Sequence, residues 1–153
     1  MTRHVLLPTD GSARSRRAIE HGIEFARSLG ARVTGLHVIP LFHRATCQAQ
    51  MLISYRTPLP ETSAAAYNAA SADAAAKLLR FVARTAARAG VHCDLVSMRS
   101  DQPYEAIVAA AKDHHCDLIV MASHGHGRLA GLLLGNETHK VLVHSHVPVL
   151  VYR

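Results

Sequence analysis

The sequence lacks any apolar run long enough to cross a membrane, since none approaches the roughly 20 consecutive residues that a bilayer requires. Its first residues lead directly into a short strand-like run and show no signal-peptide pattern. Its only three cysteines are widely spaced and form no Cys-x-x-Cys unit. A disulfide framework and a structural zinc site are therefore not expected. We predict a cytoplasmic protein with no membrane partner.

The sequence signatures of dedicated hydrolases are also missing. There is no Gly-x4-Gly-Lys-Ser/Thr loop and no Gly-x-Ser-x-Gly elbow. Ser123 and His124 are adjacent, and adjacent side chains in a loop rarely form a working nucleophile–base pair. The 12 histidines include three close pairs, but no Asp, Glu or Cys recurs beside them at metal-ligand spacing. We therefore expect no catalytic residues and no site for a metal bound by the protein alone.

Acidic residues are in the minority, because 17 Lys and Arg oppose 11 Asp and Glu to give a formal net charge of +6. Much of the excess lies in two arginine clusters, at positions 14–17 and 80–88. The spacing of four in the second cluster places its members along one helix face. No aromatic side chains are interleaved with these arginines, and no DNA-binding motif is present. We interpret the clusters as solvated faces and expect no nucleic-acid partner, although the positive charge favours anionic ligands.

Short apolar runs alternate with helical periodicity along the whole chain. Strands are predicted at 4–8, 32–38, 92–98, 117–122 and 147–152, and helices at about 13–29, 61–89, from 103 onward, and 136–144, with a long loop over 41–60. Such alternation is typical of a parallel sheet with helices on both faces. No linker divides the chain, so residues 1–153 are predicted to form one domain.

Two loops that follow strands carry the polar residues of a candidate binding site. Open parallel sheets bind ligands beyond the carboxyl ends of their strands, where the strand order reverses. In the loop at 8–12, Asp10 is suited to hold a ribose hydroxyl or a metal that accompanies phosphates. The loop at 122–135 is rich in glycine, which lets backbone N–H groups approach a phosphate, and it opens the last helix. The same residues also fit a tight turn followed by a helix cap.

In their order and content, these segments resemble the universal stress protein family. The chain begins with a strand, Pro-Thr-Asp-Gly-Ser and a helix. It ends with Met-Ala-Ser-His-Gly from Met121, Leu-Leu-Leu-Gly from Leu132, Lys-Val-Leu from Lys140 and Val-Pro-Val-Leu-Val from Val147. The resemblance covers essentially the whole chain. It implies a UspA-like, Rossmann-like fold with a five-stranded parallel sheet of strand order 3-2-1-4-5.

Members of that family that bind ATP carry the pattern Gly-x2-Gly-x9-Gly-Ser/Thr. On this sequence its second and third glycines are Gly125 and Gly135, whereas its first position is Ala122 and its last is Asn136. Ala122 adds one methyl group near the expected ribose, and Asn136 remains polar but lacks a hydroxyl. The resemblance places Thr9, Asp10 and Val38 at the adenine end and Gly125, Gly135, Asn136 and Thr138 at the phosphates. The full set of nucleotide-binding residues that it implies is Pro8, Thr9, Asp10, Val38, Met121, Ala122, His124, Gly125, Gly127, Arg128, Gly135, Asn136, Glu137 and Thr138.

The resemblance implies a stress-response protein that binds ATP and, we expect, regulates an unknown protein partner. Mg²⁺ would enter with the nucleotide and be held by Asp10, and slow ATP hydrolysis is the most that we expect of the site. The alternative is a scaffold of the same family that binds no nucleotide. The departures at Ala122 and Asn136 favour that alternative, whereas Asp10, Gly125 and Gly135 oppose it.

The last predicted strand is apolar, yet it contains Pro148, which confines it to a sheet edge or to the start of a strand. An exposed apolar edge favours pairing with another chain. Pairing with its own copy would form a two-fold homodimer, and the family resemblance implies the same arrangement. The alternative is a monomer whose edge is covered by a loop. The expected interface residues are Val147, Val149, Leu150, Val151 and Tyr152.

Overall fold

The computed structural model describes residues 2–43, 63–124 and 134–153. Its elements in chain order are β1 (His4–Pro8), α1 (Ala13–Leu29), β2 (Arg32–Ile39), α2 (Ala64–Ala89), β3 (Cys93–Arg99), α3 (Pro103–Asp113), β4 (Leu118–Ala122), α4 (Asn136–His144) and β5 (Val149–Tyr152). The strands form one parallel sheet in the order β3-β2-β1-β4-β5, which confirms the predicted fold class.

Apolar side chains on both faces of the central strands form two separate cores. Val5 and Leu7 of β1 face α1 and α2, whereas Leu6 faces the opposite layer. That layer contributes Ile107 of α3 and Val141 of α4. Because β1 and β4 are covered on both sides, they read as continuous apolar runs in the sequence. This burial orders the sheet and places the ends of β1 and β4 side by side.

The helix boundaries follow the local chemistry of the chain. α1 is capped by the hydroxyl of Ser12, which accepts a hydrogen bond from the Ser15 backbone, and the helix ends at Gly30. α2 is capped in the same way by Ser63 and ends at Gly90. In the described part of the chain, no helix is long and apolar enough to cross a membrane.

Several strand boundaries differ from the predicted ones by one or two residues. The largest difference is in β5, which begins at Val149 rather than at Val147. Pro148 has no N–H to donate to a neighbouring strand, and the Val147 N–H and carbonyl both bond to the hydroxyl of Ser145. Val147 therefore belongs to the turn that precedes the edge strand. Of the long loop predicted at 41–60, positions 44–60 lie outside the described residues.

Candidate functional site

A cleft of about 400 Å³ opens at the carboxyl edge of the sheet, where β1 and β4 are neighbours. The chain leaves β1 toward β2 on one side and reaches β4 on the other, so the strand order reverses at this point. The residues that line the cleft are Pro8, Thr9, Asp10, Ser15, Leu36, His37, Val38, Pro103, Ile107, Met121, Ala122, His124, Gly135, Asn136, Glu137 and Thr138. This is the location where open parallel sheets bind their ligands.

The loop after β1 is held by a dense set of short hydrogen bonds. The hydroxyl of Thr9 accepts from the Gly11 N–H at 3.2 Å and from the Ser15 hydroxyl at 2.7 Å. The carboxylate of Asp10 accepts from the Ser12 N–H at 2.9 Å. Gly11 has a φ of 80°, in the left-handed region that glycine adopts without strain. The loop therefore carries Asp10 to the cleft wall on a well-defined backbone.

The two ends of the loop after β4, at Ser123 and Gly135, are in contact. The N–H of Gly135 donates a 2.7 Å hydrogen bond to the carbonyl of Ser123. A Cβ atom added at Gly135 would lie 3.1 Å from that carbonyl oxygen and 3.2 Å from the Cα of His124. A larger residue would push the two ends of the loop apart, which explains why glycine suits this position.

The first turn of α4 lines the cleft with Asn136, Glu137 and Thr138. Gly135 is the N-cap and supplies no side-chain cap, and the first intrahelical bond is that of His139 to the Gly135 carbonyl. The N–H groups of the three preceding residues have no partner within the helix. Together with the helix dipole, they favour an anion at this end of the cleft.

Glu137 lies in this first turn but is already engaged. Its carboxylate accepts from the backbone N–H of Tyr104 and from the ammonium group of Lys140, both at 3.0 Å. The N-cap of α3, Gln102, makes no side-chain capping bond, so Glu137 caps that helix from a different one. Glu137 thus joins the two helices that wall the cleft, while its charge opposes a second anion nearby.

The adjacent pair Ser123 and His124 lies within hydrogen-bond distance, with 3.2 Å between the Ser123 hydroxyl and Nδ1 of His124. Ser123 is only 5% exposed and is not among the residues that line the cleft. A nucleophile must reach its substrate, so this pair does not form a working nucleophile–base arrangement. Among the residues that the structure describes, no group of three His, Cys, Asp or Glu is placed to hold a metal ion.

Most of the residues expected from the sequence lie around this one cleft. They are Pro8, Thr9, Asp10, Val38, Met121, Ala122, His124, Gly135, Asn136, Glu137 and Thr138. Gly125, Gly127 and Arg128 lie outside the described residues. The hydroxyl of Thr138, expected to face phosphates, donates instead to the carbonyl of Ala122 at 2.9 Å. This bond ties the start of α4 to the end of β4.

Sequence reasoning missed five lining residues: Ser15, Leu36, His37, Pro103 and Ile107. Leu36 and His37 directly precede Val38, so the end of β2 offered a signal for them. Pro103 and Ile107 belong to α3, whose approach to the cleft depends on how the layers pack. Nothing in their local sequence indicates that contact.

The predicted dimer strand, β5, lies at an edge of the sheet. Leu150 is 45% exposed there, and Val143 of the adjacent α4 is 63% exposed. Tyr152 stacks on His21 of α1, with 4.6 Å between the ring centroids. Within the part of the chain that the structure describes, β5 has a strand neighbour on one side only, so this edge presents apolar side chains beside backbone groups that can pair with another strand.

Comparison with known proteins identifies relatives along the full length of the chain. The model of the universal stress protein family matches residues 1–153. Universal stress protein MJ0531 of Methanocaldococcus jannaschii is 29% identical over 152 residues, which cover 99% of this chain and 82% of the relative. The solved structure of the hypothetical protein MJ0577 of the same organism is 28% identical, with a TM-score of 0.76 over 99% of this chain and 95% of that one.

Two further structures of this fold were solved with adenine nucleotides. One is a universal stress protein in complex with cAMP, 22% identical, with a TM-score of 0.68 over 99% of this chain and 97% of that one. The other is the universal stress protein of Archaeoglobus fulgidus in complex with dAMP, 16% identical, with a TM-score of 0.68 over 100% of this chain and 98% of that one.

Proposed function

The chain belongs to the universal stress protein family, and on this premise we propose that it binds an adenine nucleotide, ATP in the first instance, in the cleft between β1 and β4. Its role would be that of a nucleotide-dependent regulator in a stress response. The complexes of its structural relatives with cAMP and dAMP support the proposal, because they are examples of this fold with an adenine nucleotide bound.

The observation that carries the proposal is that a carboxylate and a helix N-terminus line the same largely apolar cleft. Asp10 stands on one side, and the uncapped first turn of α4 stands on the other. A carboxylate suits a base or ribose that donates hydrogen bonds, and a helix N-terminus suits a phosphate. Val38, Met121 and Ile107 supply apolar surface for the base between them.

The phosphates would lie toward Gly135, Asn136 and the residues at 125–128. Asn136 follows the N-cap, so its backbone N–H belongs to the donors of the first turn. Asp10 would hold either the ribose or a Mg²⁺ that accompanies the phosphates, because hard cations prefer carboxylate oxygens. Slow hydrolysis would follow from this arrangement if Asp10 also orients a water. Loss of phosphate release in Asp10→Ala, measured at an ATP concentration that saturates the variant, would support that activity.

As a regulator, the protein would present different surfaces with and without nucleotide. Binding shifts a two-state equilibrium only if the ligand contacts the two states differently. The segment between Ser123 and Gly135 connects β4 to α4 and is the part of the chain that we propose to respond. If ATP did not alter the proteolysis of this segment, the regulatory part of the proposal would be wrong.

The proposal includes a homodimer formed through β5. An antiparallel pair of β5 strands would satisfy the backbone groups at this edge and cover Leu150. The complete set of proposed interface residues is Val147, Val149, Leu150, Val151 and Tyr152. An unknown protein partner would recognise the dimer in one nucleotide state.

The second candidate is a dimeric scaffold that binds no nucleotide. It is favoured by the methyl group of Ala122 and by the carboxylate of Glu137, which bring bulk and negative charge to the cleft. Denaturing freshly purified protein and identifying the released small molecules separates the two candidates. Co-purifying adenine nucleotide, or saturable ATP binding that is weakened in Gly135→Val, supports the nucleotide-dependent regulator. If neither is observed, the scaffold is the better candidate.

A further inference from the structure

Both backbone groups of Thr9 are held by strand β2. Its N–H donates to the carbonyl of Leu36 at 2.8 Å, and its carbonyl oxygen lies 2.8 Å from Nδ1 of His37. A carbonyl oxygen only accepts hydrogen bonds, so Nδ1 of His37 carries the hydrogen. This second bond joins positions 28 residues apart in the chain.

The bond acts on the peptide that precedes Asp10. The carbonyl of Thr9 belongs to the planar peptide unit that also contains the Asp10 nitrogen, so holding the oxygen fixes the plane from which the Asp10 side chain projects. Two other contacts of this loop, from the Ser12 N–H and the Ser15 hydroxyl, hold side-chain oxygens of Asp10 and Thr9 from within α1 and its cap. His37 is the contact that ties the loop to a neighbouring strand through its backbone carbonyl.

Among the described residues, His37 is the only group that donates to the Thr9 carbonyl, so no other donor there would replace it. The bond is part-buried, and His37 itself is half-buried at the cleft. A buried carbonyl without a donor is unfavourable, so its peptide would turn toward water or toward another donor. Either rotation would move Asp10.

We propose that His37 is a positioning residue for nucleotide binding: its Nδ1–H group orients the Thr9–Asp10 peptide, and it acts through Asp10 without contacting the ligand through this group. The inference rests on the proposed function and adds to it a residue for which the sequence patterns assigned no role. It also predicts which chemistry position 37 needs, namely a hydrogen-bond donor at the δ position.

Three variants separate positioning from general stabilisation. His37→Leu removes the donor, whereas His37→Asn places an amide N–H at the same number of bonds from the backbone as Nδ1. His37→Gln moves that amide one bond further and replaces His37→Leu if the leucine variant does not fold. Isothermal titration with ATP and Mg²⁺ gives the dissociation constant of each variant, and thermal unfolding gives its melting temperature.

We expect His37→Leu to weaken ATP binding about tenfold, the effect of one well-placed hydrogen bond. His37→Asn is expected to stay within about threefold of the parent protein. In the Asp10→Ala background, His37→Leu should cause no further loss, because its effect is transmitted through Asp10. A role in stability alone would lower the melting temperature of His37→Leu without this dependence on Asp10.

The inference would be overturned if His37→Leu and His37→Asn lost equal ATP affinity. It would also be overturned if His37→Leu weakened ATP binding as much in the Asp10→Ala background as in the parent protein. So would a nitrogen-15 spectrum of the free protein in which Nε2, rather than Nδ1, carries the hydrogen in the neutral ring. If the parent protein binds no adenine nucleotide while the Nδ1–H form is present, the proposed function has failed, and the role of His37 in it fails with it. If the parent protein binds ATP but the effects of His37→Leu and Asp10→Ala on binding are additive, the role of His37 is rejected and the proposed function stands.

Discussion

The hydroxyl of Thr138 donates a 2.9 Å hydrogen bond to the carbonyl oxygen of Ala122, which joins the first turn of α4 to the end of β4. Thr138 is 2% exposed and Ala122 is 8% exposed, so the bond is shielded from water. Both residues line the cleft. The bond therefore sets the position of the helix N-terminus relative to the sheet edge that carries Asp10.

Replacing Thr138 with valine keeps the shape of the side chain and removes this bond. The buried carbonyl of Ala122 would lose its donor, which is expected to cost about 1–3 kcal/mol of unfolding free energy. Urea unfolding measures that change. Thr138→Ser retains the hydroxyl and is the matched control, expected to lose less than Thr138→Val. Equal stability of the valine variant and the parent would show that the bond does not order this part of the fold.

The two departures from the family's ATP pattern are expected to weaken nucleotide binding. Ala122→Gly removes a methyl group from the cleft wall, and Asn136→Ser places a hydroxyl in the first turn of α4. We expect the double variant to bind ATP about tenfold more tightly than the parent, an effect of roughly 1.4 kcal/mol. Titration calorimetry at matched salt measures the difference. An unchanged or weaker affinity would mean that these positions do not contact the nucleotide as proposed.

His4 is predicted to make the fold sensitive to mild acid. Its ring is 4% exposed and bonds to the Thr34 hydroxyl at 2.7 Å, and burial, followed by the nearby charge of Arg32, lowers the pKa of His4 from 6.5. The unfolded chain therefore takes up the proton first as pH falls. The contribution of neutral His4 to the unfolding free energy is therefore complete above pH 6.5. It decreases from there down to the lowered pKa of the folded state, by about 1.4 kcal/mol per pH unit.

The variant His4→Gln removes this titration, while the other histidines remain. The pH dependence of its unfolding free energy, measured in urea between pH 7.5 and pH 5, should be flatter than that of the parent. A parent slope that His4→Gln does not alter would assign the acid sensitivity to other groups.

Leu150 is expected to contribute to the proposed homodimer. It is 45% exposed on the edge strand β5, and a lysine there would bring two like charges together across the two-fold axis. Sedimentation velocity should therefore show Leu150→Lys shifting from dimer toward monomer. Leu95 is 41% exposed on the opposite edge strand, so Leu95→Lys is the matched control and should remain dimeric. The reverse pattern would place the interface at β3.

The alternating strands and helices and the two loops that flank the cleft could be predicted from local patterns, whereas the strand order and the individual lining residues followed from the family resemblance. Strands buried on both faces leave continuous apolar runs, and the loop at Asp10 follows such a run directly. The contact of His37 with Thr9 and that of Glu137 with Tyr104 could not be predicted in the same way. They join positions 28 and 33 residues apart, and their geometry is set by sheet register and by the packing of α3 on α4.

The start of β5 shows a smaller limit of the same kind. Apolar character continues through Val147, but the chain cannot extend the strand across Pro148. The Ser145 hydroxyl instead bonds to both backbone groups of Val147. Residue type alone does not distinguish such a turn from the first residues of a strand.

The most direct test of the account is an ATP titration of protein that has been unfolded, freed of small molecules and refolded. Calorimetry with Mg²⁺ present should give saturable binding at one site per chain. Asp10→Ala should weaken that binding at least tenfold, whereas Asp113→Ala, an exposed aspartate at the end of α3, should not. No heat of binding in the parent, or equal binding in Asp10→Ala, would contradict a nucleotide site in this cleft.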